Sequence, residues 1–372
     1  MNDFLVIGGG IAGACAAYFL ADHGSVVLIE MEDMPGYHAT GRSAALFSEY
    51  YGNRCVRALT AASRSFFDAP PDGFGDYPLL SPRGVVALGP VGEEARFEAA
   101  LADGRETVSG VEEIDIDKVR RFCPIIKDGW YSRAMIKPGA MDIDVHALHQ
   151  GFLRGLKAKG GSVVTGASAR SLTRRDGIWH VQSDAAKFSA SIVINAAGAW
   201  ADDVAALADV PRLKLIPKRR TAIIVEPPAS LAVATWPMVA DVTERFYFKP
   251  EAGQILVSPA DATPVPPCDA QPDEFDVATA AARFEEATTL AVRRISHRWA
   301  GLRTFAQDDT PVVGEASNTP GFFWLAGLGG YGIQIAPALG RIVAALATSA
   351  EWPADLAQRG LMPAMLSPQR FF

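Results

Sequence analysis

Gly8, Gly10 and Gly13 stand at G-x-G-x-x-G spacing directly after the apolar run Phe4–Ile7, and Glu30 closes a second apolar run, Val26–Ile29. Glycine at these places has a chemical use. Gly8 permits a tight turn out of a strand, Gly10 lets the backbone approach a pyrophosphate, and Gly13 lets a helix pack closely on a sheet. A helix opening at Ile11 and Ala12 would aim unpaired N–H groups and its positive dipole end at the phosphates. A carboxylate at Glu30 would accept hydrogen bonds from ribose hydroxyls and repel a 2′-phosphate. Strand, glycine turn, helix, strand and acid in this order set the pattern apart from an ordinary glycine-rich turn. The chemistry they imply is binding of an adenine dinucleotide, FAD or NAD.

A second glycine-rich turn, Gly327-Leu-Gly-Gly-Tyr-Gly332, follows the apolar run Phe322–Ala326 and precedes a helical pattern over 333–348. Its backbone amides, through Gly329, Gly330, Tyr331, Gly332 and Ile333, would stand at the electron-rich end of a flavin ring. The nucleotide fold thus begins near residue 3 and closes only after residue 320. NAD enzymes usually keep that fold contiguous, so the split layout favours FAD.

Composition narrows the partners. The 372 residues are 49% apolar and 21% charged, enough for two closely associated domains or one large one with a sizeable core. A net charge of −7 argues against a general nucleic-acid binder. Cys15, Cys55, Cys123 and Cys268 show neither a C-x-x-C pair nor zinc spacing, and Cys15 reads as a small buried residue within a helix. A first strand beginning at the extreme N-terminus leaves no space for a leader, and no apolar run is long enough to span a bilayer. These features fit a cytoplasmic protein, free or peripheral to the inner membrane. His146 and His149 lie near Asp142 and Asp144, but surface and capping roles fit them better than a metal site, and no metal is expected.

The elements that must position the glycines follow from hydrophobic spacing. Residues 35–43 read as a polar, flexible segment leading into a helix-like stretch, and 53–68 as a helix. Strands are expected at 84–88 and 131–136, with helices at 92–102 and 115–121. A helix starts after Asp142 or Asp144, with Val145, Leu148, Phe152, Leu153 and Leu156 on one face. Runs at 162–165, 168–174, 178–183 and 187–189 read as a compact antiparallel insertion, after which 191–194 re-enters the main sheet. Strands at 213–226, 245–249 and 254–258 and a helix at 274–290 complete a second, largely antiparallel layer. The expected fold is α/β: a Rossmann-like FAD-binding βαβ domain with an inserted, mainly antiparallel, β-rich substrate domain. The first domain takes residues 1–80, 140–205 and 300–372; the second takes 81–139 and 206–299.

Longer words then become legible. Pro35-Gly-Tyr-His-Ala-Thr-Gly-Arg-Ser-Ala-Ala45, Leu79-Leu-Ser-Pro-Arg83, Ala147-Leu-His-Gln-Gly151, Asn195-Ala-Ala-Gly-Ala-Trp200, Pro217-Lys-Arg-Arg220, Trp299-Ala-Gly-Leu-Arg303, Gly329-Gly-Tyr-Gly-Ile-Gln334 and Ala364-Met-Leu-Ser-Pro368 run through nearly the whole chain. Through them the sequence resembles the D-amino acid oxidase-like superfamily of FAD-dependent amine oxidoreductases, and within it the D-arginine dehydrogenases.

The resemblance implies oxidative deamination of a D-amino acid. Hydride passes from Cα to flavin N5, and the resulting imino acid is hydrolysed to a 2-oxo acid and ammonia. It places Arg220 and Arg303 near the substrate carboxylate, which suits the two-point geometry of a guanidinium; Lys218 and Arg219 could exchange roles with Arg220. Tyr51 and Tyr247 match tyrosines that bond the substrate or cover the flavin. Gly330 would offer its carbonyl to the amine, and Gln334 would reach the flavin or an ordered water. His38, Thr40, Gly41, Arg42 and Ser43 match a loop beneath pyrophosphate and flavin, His38 having a structural role as its alternative. Ala197 and Gly198 bring a strand end to the nucleotide. No cysteine matches a position for a covalent flavin bond, so FAD is expected to be dissociable. Oxygen, a quinone or a carrier could reoxidise it.

The chain departs from D-arginine dehydrogenases where they bind the side chain. A glutamate expected after the Leu79–Arg83 word is absent from Gly84-Val85-Val86-Ala87, and a histidine expected after Ala45 is Leu46, with Ser48 nearby. Leaving a buried cation without its partner costs about 3–5 kcal/mol. D-arginine is therefore expected to be a poor substrate and uncharged or apolar D-amino acids better ones, while Glu49, as a relocated acid, is the feature that would keep a basic substrate. Glycine, sarcosine or another secondary amine is the alternative substrate class, and FAD binding without turnover the non-enzymatic alternative.

Overall fold

A computed structural model describes residues 1–372. The opening strand Asn2–Ile7 lies inside an eight-stranded sheet, flanked in parallel by Val26–Ile29 and Lys187–Asn195. Ser162–Val164 extends the sheet beyond Val26–Ile29, and Phe322–Ala326 pairs in parallel with Val193–Asn195. Parallel strands covered on both faces need apolar residues at every position. Phe4 and Val6 accordingly pack under the helices Ile11–Leu20, Arg54–Asp68, Val145–Ala158 and Gly332–Ala347, while Leu5 and Ile7 pack against Trp179, Val193 and Trp324. Cys15 is buried where the first and last of these helices touch, its Sγ 2.9 Å from the Ala336 carbonyl.

Two expectations are corrected here. The run at 162–165 belongs to the parallel sheet, not to an antiparallel insertion. The runs at 187–189 and 191–194 are one strand, whose first half pairs antiparallel with Ile178–Ser183 and whose second half pairs with Phe322–Ala326. The meander Ala169–Arg175, Ile178–Ser183, Lys187–Asn195 is therefore an extension of the main sheet.

The second sheet has ten strands. Its centre is the antiparallel set Ile295–Phe305, Ile216–Val225, Gln254–Ser258 and Tyr247–Glu251, continued by Met238–Asp241, Val85–Pro90, Tyr131–Lys137 and Glu112–Ile114. One face packs on the helix Glu274–Ala287 around Phe248 and Phe284; this helix stops short of the expected 290. The other face carries Ala222, Ile224, Tyr247 and Leu256. Ile295–Phe305 runs unbroken through residue 300, the expected domain boundary, and its end pairs with Leu328–Gly329 in the second glycine turn. The helix-like stretch expected after residue 43 is instead the short strand Leu46–Phe47 in a three-stranded sheet with Met141–Ile143 and Leu80–Pro82. No helix is long and apolar enough to cross a membrane.

Candidate active site

A cavity of about 590 Å³ is lined by the carboxyl ends of the first sheet, at Ile7, Glu30, Ala196 and Ala326, and by the second sheet at Arg220, Tyr247 and Arg303. Open α/β sheets hold ligands at such strand ends.

At the first glycine turn, Gly8 has φ +106° and a side chain there would meet the Ala196 carbonyl oxygen at 2.5 Å. A Cβ on Gly13 would lie 1.9 Å from the Gly8 oxygen, so Gly13 seats the helix on the turn and does not itself line the cavity. The helix Ile11–Leu20 has no side-chain cap and no acid in its first turn. Only the Ile11 amide is taken, by Thr40 Oγ1 at 2.9 Å. Gly10, Ile11, Ala12 and Thr40 line the cavity. Glu30 is buried, and its carboxylate accepts from the amides of Gly9 at 2.5 Å and Glu32 at 2.9 Å. It therefore shapes the turn as well as facing the cavity, with lone pairs left for a hydroxyl.

His149 overturns its expected surface or capping role. It is buried, Nε2 donates to the Gly9 carbonyl at 2.8 Å, and its ring fills the space beside Gly36. Asp144 is the cap of that helix, and His146 is exposed. Burial pushes the His149 imidazole below its ordinary value, against the Gly9 bond, which favours the proton. Below about pH 6.5 the unfolded chain takes a proton that the buried ring resists. Stability should hold above that pH and fall as pH drops through the folded value. Melting temperatures measured across this range should show a flatter acid limb in His149→Gln.

Loop residues 36–43 connect the two sheets. His38 Nε2 lies 2.8 Å from Glu32 Oε1, with its ring 4.7 Å from that of Trp200. Arg42 donates to the carbonyls of Ala270 and Ala300 and pairs with Asp269 at 2.5 Å. His38, Arg42 and Ser43 line the cavity, whereas Gly41 does not; its amide donates to the Gly36 carbonyl. Ala197 and Gly198 also line it, and nothing would meet a Cβ on Gly198.

At the other end Gly329, Gly330, Gly332 and Ile333 line the cavity, below the uncapped and acid-free first turn of the helix Gly332–Ala347. Tyr331 and Gln334 stand behind this surface. The Tyr331 ring packs edge-on against Tyr51 at 4.8 Å. Gln334 Oε1 accepts from the Ser48 amide at 2.9 Å, and its buried Nε2 has no partner.

Four polar side chains converge near Gly330. Arg303 makes no ion pair, and Nη1 donates to Tyr51 Oη at 3.3 Å; Tyr51 itself lies outside the lining. Arg220 Nε donates to the Asp261 carbonyl at 2.6 Å, and that carboxylate is 4.0 Å away. Burial opposes ionisation of Tyr247, but the charges of Arg303 and Arg220 outweigh it and hold the phenol below the ordinary tyrosine range. The neighbours of Arg220 are otherwise engaged: Arg219 pairs with Asp276 at 2.9 Å, and Lys218 lies 4.5 Å over the Phe305 ring. An anion entering here would meet two guanidinium groups and the Tyr247 phenol, with Tyr51 behind Arg303.

Trp200, Tyr37 and Cys268 also line the cavity, beyond the residues expected there. Trp200 and Tyr37 sit inside the longer words quoted above, but only the fold sets Trp200 against His38 and Tyr37 against Arg42 at the cavity wall.

Residues 3–346 match the family described as FAD dependent oxidoreductase, and the chain belongs to that family, the DAO family. It is 23% identical to the glycine oxidase of Geobacillus kaustophilus over 95% of each chain. It is also 23% identical to the mitochondrial dimethylglycine dehydrogenase of Homo sapiens, over 99% of this chain and 44% of that protein. The crystal structure of L-proline dehydrogenase from P. horikoshii has the same fold, with a TM-score of 0.84 at 21% identity over 99% of this chain and 97% of that one.

The protein is thus an FAD-dependent oxidoreductase, and its residues fit the cofactor. Two helix N-termini without side-chain caps face one cavity, and the orphaned Gln334 amide lies beside the second of them. An elongated dinucleotide would satisfy both ends.

Proposed function

We propose that the protein oxidises the Cα–N bond of a D-amino acid without a cationic side chain, giving an imino acid that water hydrolyses to a 2-oxo acid and ammonia. The observation that supports this most is Arg303, a guanidinium without an ion pair at the end of the cavity beside Gly330. Such a group calls for a carboxylate.

FAD, held without a covalent bond by Gly8 to Gly13, Glu30, the loop His38 to Ser43, Ala197, Gly198 and the turn Gly329 to Gln334, supplies the acceptor for the two electrons leaving Cα. Arg303 and Arg220 clamp the substrate carboxylate and fix the orientation of Cα. Tyr51 and Tyr247 donate to the same group or close the site over it. The Gly330 carbonyl accepts from the amine, which must be neutral for its lone pair to assist. No side chain at the site is placed as a base, so solvent removes that proton. The domain division drawn from the sequence assigns the FAD contacts to the first domain and splits the clamp, with Arg220 and Tyr247 in the second domain and Arg303, on a strand of the second sheet, in the first.

Guanidinium-bearing substrates fit poorly. The carboxylates lining the cavity, Glu30 and Asp203, belong to the first sheet and its following helix, and Glu49 does not line it. The likeness to glycine oxidase and dimethylglycine dehydrogenase favours a second reading, in which glycine or an N-methylated glycine is oxidised.

Anaerobic titration of the holoprotein with D-alanine, D-methionine, D-phenylalanine, D-arginine, glycine and sarcosine, following the flavin's visible absorption, tests both. Bleaching by neutral D-amino acids is expected. Bleaching by sarcosine alone selects the second reading, a strong D-arginine preference overturns the first, and no bleaching by any of them leaves a binding protein.

A further inference from the structure

A buried cation outside the proposed clamp has no role in it. Lys137 ends the strand Tyr131–Lys137, is 9% exposed, and forms no ion pair; its Nζ lies 3.2 Å from the centre of the Tyr50 ring. The nearby carboxylate, Asp103, is already committed to Arg57 by two bonds of 2.8 Å. Arg57 itself lies 5.0 Å from the same Tyr50 ring. Two cations therefore share one aromatic face region and one paired acid. Burial pushes the Lys137 ammonium down to about 7, Asp103 and Glu244 acting to raise it and Arg57 to lower it. A desolvated ammonium in this setting lacks an anion.

Its position says where that anion would come from. Lys137 pairs in register with Val85, and Val85 with Met238. In the adjacent row Met135 pairs with Ala87, Ala87 with Ala240, and Ala240 with Tyr247. Paired residues share a face, so Lys137 is on the Tyr247 face of the sheet, three strands across and two residues along, about 16 Å away at the backbone. Val85, Met238 and Ala240 form an apolar floor between them, which with Lys137 lies beyond the lining of the 590 Å³ cavity; on the same face Lys249 is already paired with Asp142 at 3.0 Å. Tyr50, under Lys137, directly precedes Tyr51, which receives the Arg303 hydrogen bond.

We infer that Lys137 sets substrate specificity, favouring amino acids whose side chain or N-substituent ends in a carboxylate over those ending in an amine or guanidinium. This rests on the reading of the site as an amino-acid oxidase: Arg303 and Arg220 take the α-carboxylate, and Lys137 takes the far anion across the apolar floor. The same cation repels lysine-like and arginine-like ends.

The test uses FAD-loaded wild type and the Lys137→Met, Lys137→Glu and Lys137→Arg variants. Binding of adipate against hexanoate, read from perturbation of the flavin spectrum, should favour adipate by about tenfold in wild type and K137R. K137M should lose that preference and K137E reverse it. The kcat/KM ratio of D-2-aminoadipate to D-lysine should fall at least about tenfold in K137M, equivalent to about 1.4 kcal/mol. A ratio and an adipate preference unchanged in folded K137M overturn the inference. Should K137M not fold, a wild type indifferent to the second carboxylate overturns it equally. If no amino acid bleaches the flavin while adipate binding still depends on Lys137, the functional reading fails and the anion site stands. If D-amino acids bleach it without charge preference, the functional reading stands and Lys137 does not select.

Discussion

Arg303→Met should lower kcat/KM for the substrate by a factor of about 10²–10⁴ while leaving the melting temperature unchanged or slightly raised. A buried carboxylate that loses its charged partner forfeits about 3–5 kcal/mol, which sets the size of the rate effect. Stability moves differently because Arg303 has no ion pair to lose; its one side-chain bond is to Tyr51. Removing a poorly solvated, unpaired charge relieves a cost in the free protein. Arg303→Lys keeps the charge but not the planar fork, so it should retain only part of the activity. Steady-state kinetics and thermal melts of the FAD-loaded variants decide the matter. A fall in melting temperature with unchanged kcat/KM would mean that Arg303 is structural.

Gly13→Ala should abolish FAD retention. The added methyl would lie 1.9 Å from the Gly8 carbonyl oxygen and 3.2 Å from Val6 Cγ1. Ordinary overpacking costs about 1–3 kcal/mol because flexible side chains give way. Here the obstacle is backbone, in a turn already pinned against the Ala196 carbonyl. The helix must move off the turn, taking its N-terminal amides from the phosphates. Purified G13A should be colourless, and added FAD should no longer raise its melting temperature as it does for wild type. Gly139→Ala is the control: its Cβ meets nothing, its φ is ordinary, and its effect should stay within about 0.5 kcal/mol. A yellow, FAD-responsive G13A would remove the proposed role of Gly13.

Gly13 and Arg303 are both legible in the sequence, but for different reasons. Gly13 belongs to a contiguous pattern whose spacing encodes its own turn and helix. Arg303 stands out only through a longer word shared with a family. Its strand, Ile295–Phe305, carries no clear period-two signal. Its exposed start, Ser296, His297 and Arg298, is polar on both faces, and Arg303 further along lines the cavity, so polar residues obscure the alternation.

The dinucleotide turn, the second glycine turn, the flavin family and most of the helices are written in the chain as short-range spacing, where local backbone geometry decides the outcome. Three other features have no such local code. Residues 162–164 join the parallel sheet, His149 reaches the Gly9 carbonyl 140 residues away, and Lys137 shares a face with Tyr247. Period-two alternation says which residues of one strand point together. It says nothing of which strand lies alongside, because register between strands is set by packing between segments far apart in the chain.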